Sequence, residues 1–344
     1  MRNRTTGKIL TAFIAVLAVI CCVTTVFALI ARAGKSDAPE VAGVVREAAE
    51  ENPYGFAEEK WQEGSVYYNG KSYRFREGLQ TYLIMGVDSD DVVAPAADSV
   101  SGGQSDAMFL VVMDRAEESV KVISVNRNTM TSVEVYDEEG KRLGYSDMQI
   151  CIQHGFGDGM RLSCNRSVDA LRRLFYNIPV SGFYALNMGG IIPFNDALGG
   201  VTVTASEDVI RGDVTIMEGE EMTLMGEDAY AYLRYRDTEV AMSADARLKR
   251  QEQYITAMLV KLLEQPSLAG KAFQAAEDYT VTNIDFVKLM TQIRDYSFDT
   301  EEDVFTLPGQ TVRNGDYEEF HVDEDGLMEI IMNVFYIETD NTAQ

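Results

Sequence analysis

Three almost continuous apolar runs lie close together in the first half of the chain, and they constrain its fold more than any other feature. They cover Thr81–Asp88, Met108–Asp114 and Val120–Asn126. Runs of this length, rich in β-branched residues, are typical of strands that are buried on both faces. The short polar segment between the second and third runs predicts a hairpin. We therefore expect an α/β domain with a mixed, largely central β-sheet that is covered by helices on both faces.

The rest of the chain supplies helices to cover such a sheet. Helical periodicity is present in three segments, Ser163–Tyr176, Gly226–Leu233 and Arg247–Leu263. A turn and a further strand are predicted for Gly199–Thr204, and a last strand-and-helix stretch for Asp303–Phe335. Within that stretch, Gln310–Phe320 is polar, so we predict that it is a loop.

The segment Ile9–Ala31 is 23 residues long and carries no charged residue. As a helix it would span roughly 34 Å, enough to cross a bilayer core, whereas the apolar part of a cleaved signal peptide is shorter. The basic residues before it favour a cytoplasmic N-terminus. We therefore expect a cytoplasmic segment 1–8, a transmembrane helix 9–31, an extracytoplasmic tether 32–72, a folded domain 73–338 and a tail 339–344.

The formal net charge of the chain is −25. A domain this acidic repels the phosphate backbone of nucleic acid, so nucleic acid is excluded as a partner. A smaller phosphate ligand would require a local group of cationic side chains or a bound metal cation. The search for functional residues therefore concentrates on arginines and on carboxylates near strand ends.

Two of the four cysteines, Cys151 and Cys164, lie in the predicted extracytoplasmic part, where disulfides persist. They could form a disulfide or remain as two unpaired thiols, and sequence spacing does not decide between these alternatives. The two histidines, His154 and His321, lie apart from the motifs described below. A histidine-based nucleophilic triad is therefore not expected.

Two carboxylates are candidates for metal binding. Asp88 stands at the end of the first apolar run, and Asp106 precedes the second. Mg²⁺ is commonly held by one or two carboxylates together with water and phosphate oxygens. The alternative is that each aspartate is an ordinary turn or cap residue.

Arginines and one glutamine form the second group of candidates, because arginine binds phosphate in a bidentate manner. Arg127 follows the third run, and Arg234 and Arg236 follow a predicted helix. On the next helix, Arg247, Arg250 and Gln251 fall on one stripe, beside the apolar stripe that would pack on the core. The alternatives are surface ion pairs and an ordinary amphipathic helix with a solvated polar face.

The order of these motifs resembles that of the LytR-CpsA-Psr family over about residues 80–265. The matching motifs are Gly86-Val-Asp88, Ser105-Asp106, Asn126-Arg127-Asn-Thr129, Asp196-Ala-Leu-Gly-Gly-Val201, Leu233-Arg-Tyr-Arg236 and Arg247-x-x-Arg250-Gln251, with further similarity across Gly219–Tyr232. The resemblance implies that 73–338 is a catalytic domain of that family's fold.

The resemblance also implies a function. Members of this family are phosphotransferases that move a glycopolymer, such as teichoic acid or capsule, from a polyprenyl pyrophosphate carrier to peptidoglycan, with pyrophosphatase as a side activity. By analogy, Asp88 and Asp106 would hold Mg²⁺, or Mn²⁺ in its place. Arg127 would be catalytic together with these two carboxylates. The pyrophosphate would be clamped by Arg127, Arg234, Arg236, Arg247, Arg250 and Gln251, and an apolar slot between sheet and helices would take the prenyl tail. The protein would be a single-pass cell-membrane protein with its C-terminal domain outside.

The chain departs from the family pattern at three positions. Gln104 stands where the family usually has arginine, Asn128 where it usually has aspartate, and Asp90 where arginine is common. An asparagine cannot ionise, so the departure at Asn128 bears on turnover. Two hypotheses follow, an active ligase or a degenerate relative that binds polyprenyl pyrophosphate without efficient transfer. A third hypothesis, a purely structural cell-wall protein, does not explain why the arginines are grouped.

Overall fold

The computed structural model describes residues 65–236, 243–285, 289, 292, 295–315 and 317–339. The predicted cytoplasmic segment, the predicted transmembrane helix 9–31 and most of the predicted tether lie outside the described residues. Among the residues that are described, no helix has the length and apolar character needed to cross a membrane.

Strands and helices alternate along the described chain. The strands are β1 (Ser65–Tyr68), β2 (Lys71–Phe75), β3 (Leu79–Val87), β4 (Ser105–Asp114), β5 (Ser119–Val125), β6 (Met130–Tyr136), β7 (Arg142–Gln149), β8 (Gly182–Asn187), β9 (Val201–Thr204), β10 (Val209–Arg211), β11 (Val214–Ile216), β12 (Glu221–Leu224), β13 (Thr280–Thr282), β14 (Val304–Thr306), β15 (Gly309–Asn314), β16 (Tyr317–Val322) and β17 (Tyr336–Thr339). The α-helices are α1 (Arg161–Leu174), α2 (Ile191–Ala197), α3 (Glu227–Arg234), α4 (Ser243–Glu264), α5 (Ser267–Ala275) and α6 (Glu324–Phe335). Short 3₁₀ turns cover Ile150–Gly155, Met188–Gly190 and Glu277–Tyr279.

The largest sheet in the described part of the chain has six strands in the order β13-β8-β3-β4-β5-β14. Its pairs β8–β3 and β5–β14 are parallel, and the other three pairs are antiparallel. The three apolar runs form β3, β4 and β5 at the centre of this sheet, and β4 and β5 form the predicted hairpin. The prediction of a mixed, central sheet is confirmed.

Neighbouring residues on the central strands point to opposite faces of the sheet, and each face is covered by helices. Leu83 and Leu110 belong to a core that includes residues of α1 and α6. Phe109 and Val111 lie on the other face, where they pack with Leu248 of α4. The expected α/β layering is therefore confirmed for the described residues, and the predicted apolar stripe of α4 is the face that contacts the sheet.

The prediction that Gln310–Phe320 forms a loop is wrong. This segment builds the antiparallel hairpin β15–β16, in which six residue pairs lie opposite one another. Its polar composition reflects two mostly exposed strands with few core contacts, so it lacks the apolar pattern that signals a buried strand. The hairpin is attached to the domain through the backbone of Phe320, whose N–H donates to the Asn128 carbonyl (2.9 Å).

The predicted start of the folded domain at residue 73 is also too late. Strand β1 begins at Ser65, inside the segment that we predicted to be a tether, and pairs with β2. Strand β2 also pairs with β17, so the first and last strands of the described residues belong to one sheet. Cross-strand pairing between distant segments is not visible as a local composition change, which explains the error.

The two described cysteines, Cys151 and Cys164, are free and buried. The disulfide alternative is therefore not what the structure contains. Burial raises the pKa of the Cys164 thiol to about 12, so this thiol is protonated at neutral pH.

Candidate functional site

The candidate residues from the three central strands meet at one edge of the sheet. Asp88 follows the end of β3, Asp106 is the second residue of β4, and Arg127 lies two residues beyond β5. Because β4 runs antiparallel to both neighbours, its beginning lies beside their ends. The sequence predicts Asp106 in the segment that precedes this strand, but the strand begins at Ser105, so Asp106 lies within β4.

Asp106 is buried between two arginines. One carboxylate oxygen, Oδ1, is 3.1 Å from Nη1 of Arg127, and the other, Oδ2, accepts a hydrogen bond from Nη1 of Arg247 (3.0 Å). Asp106 is 6% exposed and Arg247 is 5% exposed. Within this buried group, Asp106 Oδ1, Arg127 Nε and Arg247 Nη2 have no hydrogen-bond partner. Buried polar atoms are normally satisfied, and Asp106 Oδ1 has its ion pair with Arg127, so the two arginine N–H groups mark capacity for an anionic ligand.

Arg127 is held by uncharged groups on its other side. Its Nη2 donates to the side-chain oxygen of Gln104 and to the Cys151 sulfur (3.2 Å). Burial raises the pKa of the Cys151 thiol, so this group is neutral at neutral pH. Burial also opposes the charge of Arg127, but the hydrogen bond to the Cys151 sulfur and the negative charge of Asp106 outweigh it and raise the pKa of Arg127.

The exposed side of the site contains Asp88 and Arg234. Nη1 of Arg234, the last residue of α3, lies 3.0 Å from Asp88 Oδ1 and 3.6 Å from Asp90 Oδ1. The Tyr230 hydroxyl donates to Asp90 (2.6 Å). The Asp88 side chain is 45% exposed, in contrast to the buried Asp106.

Arg236 completes the cationic group. Its Nε donates to the Ser243 hydroxyl (2.9 Å), and its Nη2 lies 3.3 Å from the Glu318 carboxylate. The pKa of Arg247 is lowered, mainly by burial. Asp106 opposes this shift, and the nearby positive charges of Arg127 and Arg236 add to it. Three arginines from three separate segments therefore act on one another, and the hairpin β15–β16 forms part of the surrounding wall.

Arg250 and Gln251 do not join this group. Arg250 is 1% exposed, and its donors go to the carbonyls of Tyr232 (2.9 Å) and Tyr235 and to the Glu207 carboxylate. Burial lowers the pKa of Arg250 to about 10, so it stays cationic at neutral pH. Gln251 donates to the Leu233 carbonyl (3.3 Å). In this structure both residues hold the segment that carries Arg234 and Arg236.

Several supporting residues were missed by the sequence analysis. Asp245, in the first turn of α4, accepts hydrogen bonds from Asn126 Nδ2 (2.6 Å) and from the Thr311 hydroxyl (2.9 Å). It thus joins the Arg127 loop, α4 and the hairpin β15–β16. An acidic residue in the first turn of a helix is a recognisable signal, but it indicates a favourable interaction with the helix dipole and not these partners.

His154 supports the loop that leads to Asp106. Its Nδ1 lies 2.9 Å from the Gly102 carbonyl, and its Nε2 lies 3.8 Å from the Cys164 sulfur. Because a carbonyl only accepts, Nδ1 carries the proton. A Cβ at Gly102 would lie 2.7 Å from the His154 carbonyl oxygen, so the loop needs glycine here. Both ring nitrogens of His154 therefore have contacts inside the domain.

An apolar cavity of about 190 Å³ begins beside the charged group. It lies between the sheet and helix α4, and Gly86 and Ala107 line it next to Asp88 and Asp106. Along β4 its lining continues to Met113, six residues further, which corresponds to about 20 Å of strand. Most of its other lining residues are aliphatic or aromatic, and the polar Gln251 also lines it. The site thus combines a cationic head and a long apolar cavity.

Among the described residues, no group of three or more histidine, cysteine, aspartate or glutamate side chains is arranged to hold a metal ion. Asp88 and Asp106 therefore remain the two predicted ligands. The Asp106 Oδ1 atom accepts no hydrogen bond but forms an ion pair with Arg127, and Asp88 forms one with Arg234, so a metal ion would replace these contacts. For Mg²⁺, which needs few protein ligands when phosphate and water complete its shell, this donor set fits.

Curated relatives are similar in sequence to part of this chain. Polyisoprenyl-teichoic acid–peptidoglycan teichoic acid transferase TagU from Halalkalibacterium halodurans is 27% identical over 59% of this chain and 60% of its own length. The TagU protein of the same name from Bacillus subtilis is 27% identical over 62% of this chain and 63% of its own length. The chain thus spans about three fifths of the length of the curated relatives it matches.

Solved structures share the fold. Bacillus subtilis TagV aligns with a TM-score of 0.59 at 21% identity and covers 75% of this chain and 96% of its own. The structure described as TagT bound to LI-WTA aligns with a TM-score of 0.54 at 20% identity, covering 75% of this chain and 90% of its own. The model of the LytR_cpsA_psr family matches residues 47–334. Since this match covers most of the chain, including every candidate site residue, the chain belongs to the LytR-CpsA-Psr family.

Proposed function

We propose that this protein is a phosphotransferase that moves a teichoic-acid-type glycopolymer from a polyprenyl pyrophosphate carrier to peptidoglycan. The observation that carries the proposal is the position of the apolar cavity, which begins at Gly86 and Ala107 beside the cationic group. A polyprenyl pyrophosphate has the same division, with an anionic head and an apolar tail. The names of the TagU relatives support the polymer and the acceptor.

In this proposal the head of the carrier lies against Arg127 and Arg247, and Arg234 and Arg236 contact it from the α3 side. The unpartnered Arg127 Nε and Arg247 Nη2 atoms supply donors that the protein itself does not use. Arg250 acts indirectly, because it holds the carbonyls on either side of Arg234. The tail follows β4 in the cavity.

Asp88 and Asp106 would hold Mg²⁺, or Mn²⁺ in its place. When bound, the ion would neutralise charge on the phosphates. Phosphoryl transfer depends mainly on positioning and charge neutralisation, which suits a site without a protein nucleophile. The acceptor sugar hydroxyl attacks the phosphorus attached to the glycopolymer, the bond to the lipid phosphate breaks, and the hydroxyl proton is released. Water in place of the sugar would give pyrophosphatase side activity.

The predicted helix Ile9–Ala31 would hold this site at the outer face of the cell membrane. A lipid carrier is met there, so the proposed location and the proposed substrate agree. Cell fractionation tests this part of the proposal. We expect the full-length chain in the membrane fraction, and we expect a chain without residues 1–31 to be absent from that fraction.

The main experiment measures lipid phosphate released from a polyprenyl pyrophosphate-linked glycopolymer by the full-length chain with Mg²⁺. We expect Arg127→Ala to reduce release at least about a hundredfold, since it removes charge stabilisation at the phosphates. Arg74→Ala, at an exposed position on β2, is the matched control and should leave release unchanged. Unchanged turnover in Arg127→Ala would reject the assignment.

The second candidate function is binding of polyprenyl pyrophosphate without efficient transfer. Asn128 favours it, because this buried residue cannot ionise and stands where the family usually has aspartate. Tight binding by the unchanged chain with no product, together with turnover in Asn128→Asp, would select this candidate. Product formation by the unchanged chain would exclude it.

A further inference from the structure

Gln104 connects the two sides of the site through hydrogen bonds in two directions. Its backbone carbonyl accepts from the Asp88 N–H (2.9 Å), and its side-chain oxygen accepts from Arg127 Nη2. The residue directly precedes β4, so its own position is fixed by the strand that carries Asp106. One residue thus contacts both the Asp88 backbone and the Arg127 side chain.

The charges around Arg127 are unbalanced in favour of an anion. Asp106 is the carboxylate in contact with both Arg127 and Arg247, so two cations share one negative charge. The remaining described acceptors on Arg127 are the Gln104 amide and the Cys151 sulfur. An amide oxygen accepts a hydrogen bond without a formal charge. Gln104 therefore orients Arg127 without adding a negative charge next to it.

We infer that Gln104 is a positioning residue that holds Arg127 for a diphosphate ligand and keeps the positive charge of that arginine available. This inference rests on the proposed function and concerns the same site. A glutamate at this position would keep the hydrogen bond and cancel the available charge, whereas leucine would remove the hydrogen bond and keep the charge. The two substitutions separate orientation from charge.

The charge is tested with inorganic pyrophosphate and the full-length chain by isothermal titration calorimetry at fixed ionic strength. We expect Gln104→Glu to weaken binding about three- to tenfold, because the added charge lies next to Arg127 and is partly screened by solvent. Gln265→Glu adds the same charge near the far end of α4, about 27 Å along the helix from Arg247, and should leave binding unchanged. Equal or tighter binding by Gln104→Glu would overturn the inference, as would absence of pyrophosphate binding by the unchanged chain.

The orientation is tested with Gln104→Leu and lipid phosphate release. We expect kcat to fall about tenfold while KM changes less than about threefold, because the misplaced arginine still attracts the ligand. Gln104→Glu should keep more of kcat than Gln104→Leu but raise KM. Equal kcat and KM in all three proteins would overturn the inference, and a Gln104→Leu chain that does not fold leaves the pyrophosphate measurement decisive.

The two proposals fail separately. An effect of Gln104→Glu on pyrophosphate binding without any lipid phosphate release by the unchanged chain would reject the proposed transfer and support the positioning role. Release by the unchanged chain with no response to Gln104→Glu would reject the positioning role and support the transfer.

Discussion

The two carboxylates of the site differ in their surroundings. The side chain of Asp106 is 5% exposed and lies between Arg127 and Arg247, whereas that of Asp88 is 45% exposed and pairs with Arg234 at the surface. A buried charge depends on its partners, because removing one of them leaves the other uncompensated in a poorly solvated place. An exposed ion pair contributes little to stability. The carboxylate on the buried side therefore contributes both to stability and to the site, whereas the exposed side can exchange its ion pair for contacts with a ligand at little cost in stability.

The largest effect is expected at the buried side. Asp106→Asn leaves Arg127 and Arg247 without their shared carboxylate, so the free energy of unfolding should fall by about 3 kcal/mol. Chemical denaturation of the full-length chain measures this loss. A loss below about 1 kcal/mol would show that solvent reaches the two arginines, and the contrast with Asp88 would then disappear.

An intermediate effect is expected from pH, through the buried support of the Asp106 loop. Burial lowers the pKa of His154 below its usual value of 6.5. As the pH falls below about 6.5, His154 binds a proton in the unfolded chain but not in the folded chain. The free energy of unfolding therefore falls, by at most about 1.4 kcal/mol per pH unit.

The histidine's share of this slope is isolated by substitution. His154→Asn keeps a donor for the Gly102 carbonyl and cannot titrate, so its stability should fall less between pH 6.5 and 5.5 than that of the unchanged chain. His321→Asn, at an exposed position, is the control. Identical slopes for His154→Asn and the unchanged chain would contradict the prediction.

The smallest effect on stability is expected at the exposed side. Asp88→Asn should change the free energy of unfolding by less than about 1 kcal/mol, because its ion pair is solvated. Lipid phosphate release should nevertheless fall by about thirtyfold if Asp88 holds the metal, which corresponds to about 2 kcal/mol of lost transition-state stabilisation. Full activity in Asp88→Asn, at any Mg²⁺ concentration, would remove Asp88 from the proposed metal site.

The central strands show where sequence patterns are reliable. The apolar runs of β3, β4 and β5 were predicted within one to three residues at each end, because a strand buried on both faces must be apolar along its length. Their polar ends also indicated Asp88, Asp106 and Arg127. The hairpin β15–β16 was missed because its strands are mostly exposed, and its role as a wall beside Arg236 depends on contacts with distant segments.

The sequence by itself determined the layered α/β fold, the family and the set of charged residues that could form a site. The tertiary structure decided how those residues divide between roles. Arg247 and Arg250 lie on one stripe of α4, yet Arg247 pairs with Asp106 and Arg250 binds the backbone around Arg234. Periodicity predicts which face of a helix a side chain occupies, but its partner depends on which segments pack against that face, and those segments are far away in the chain.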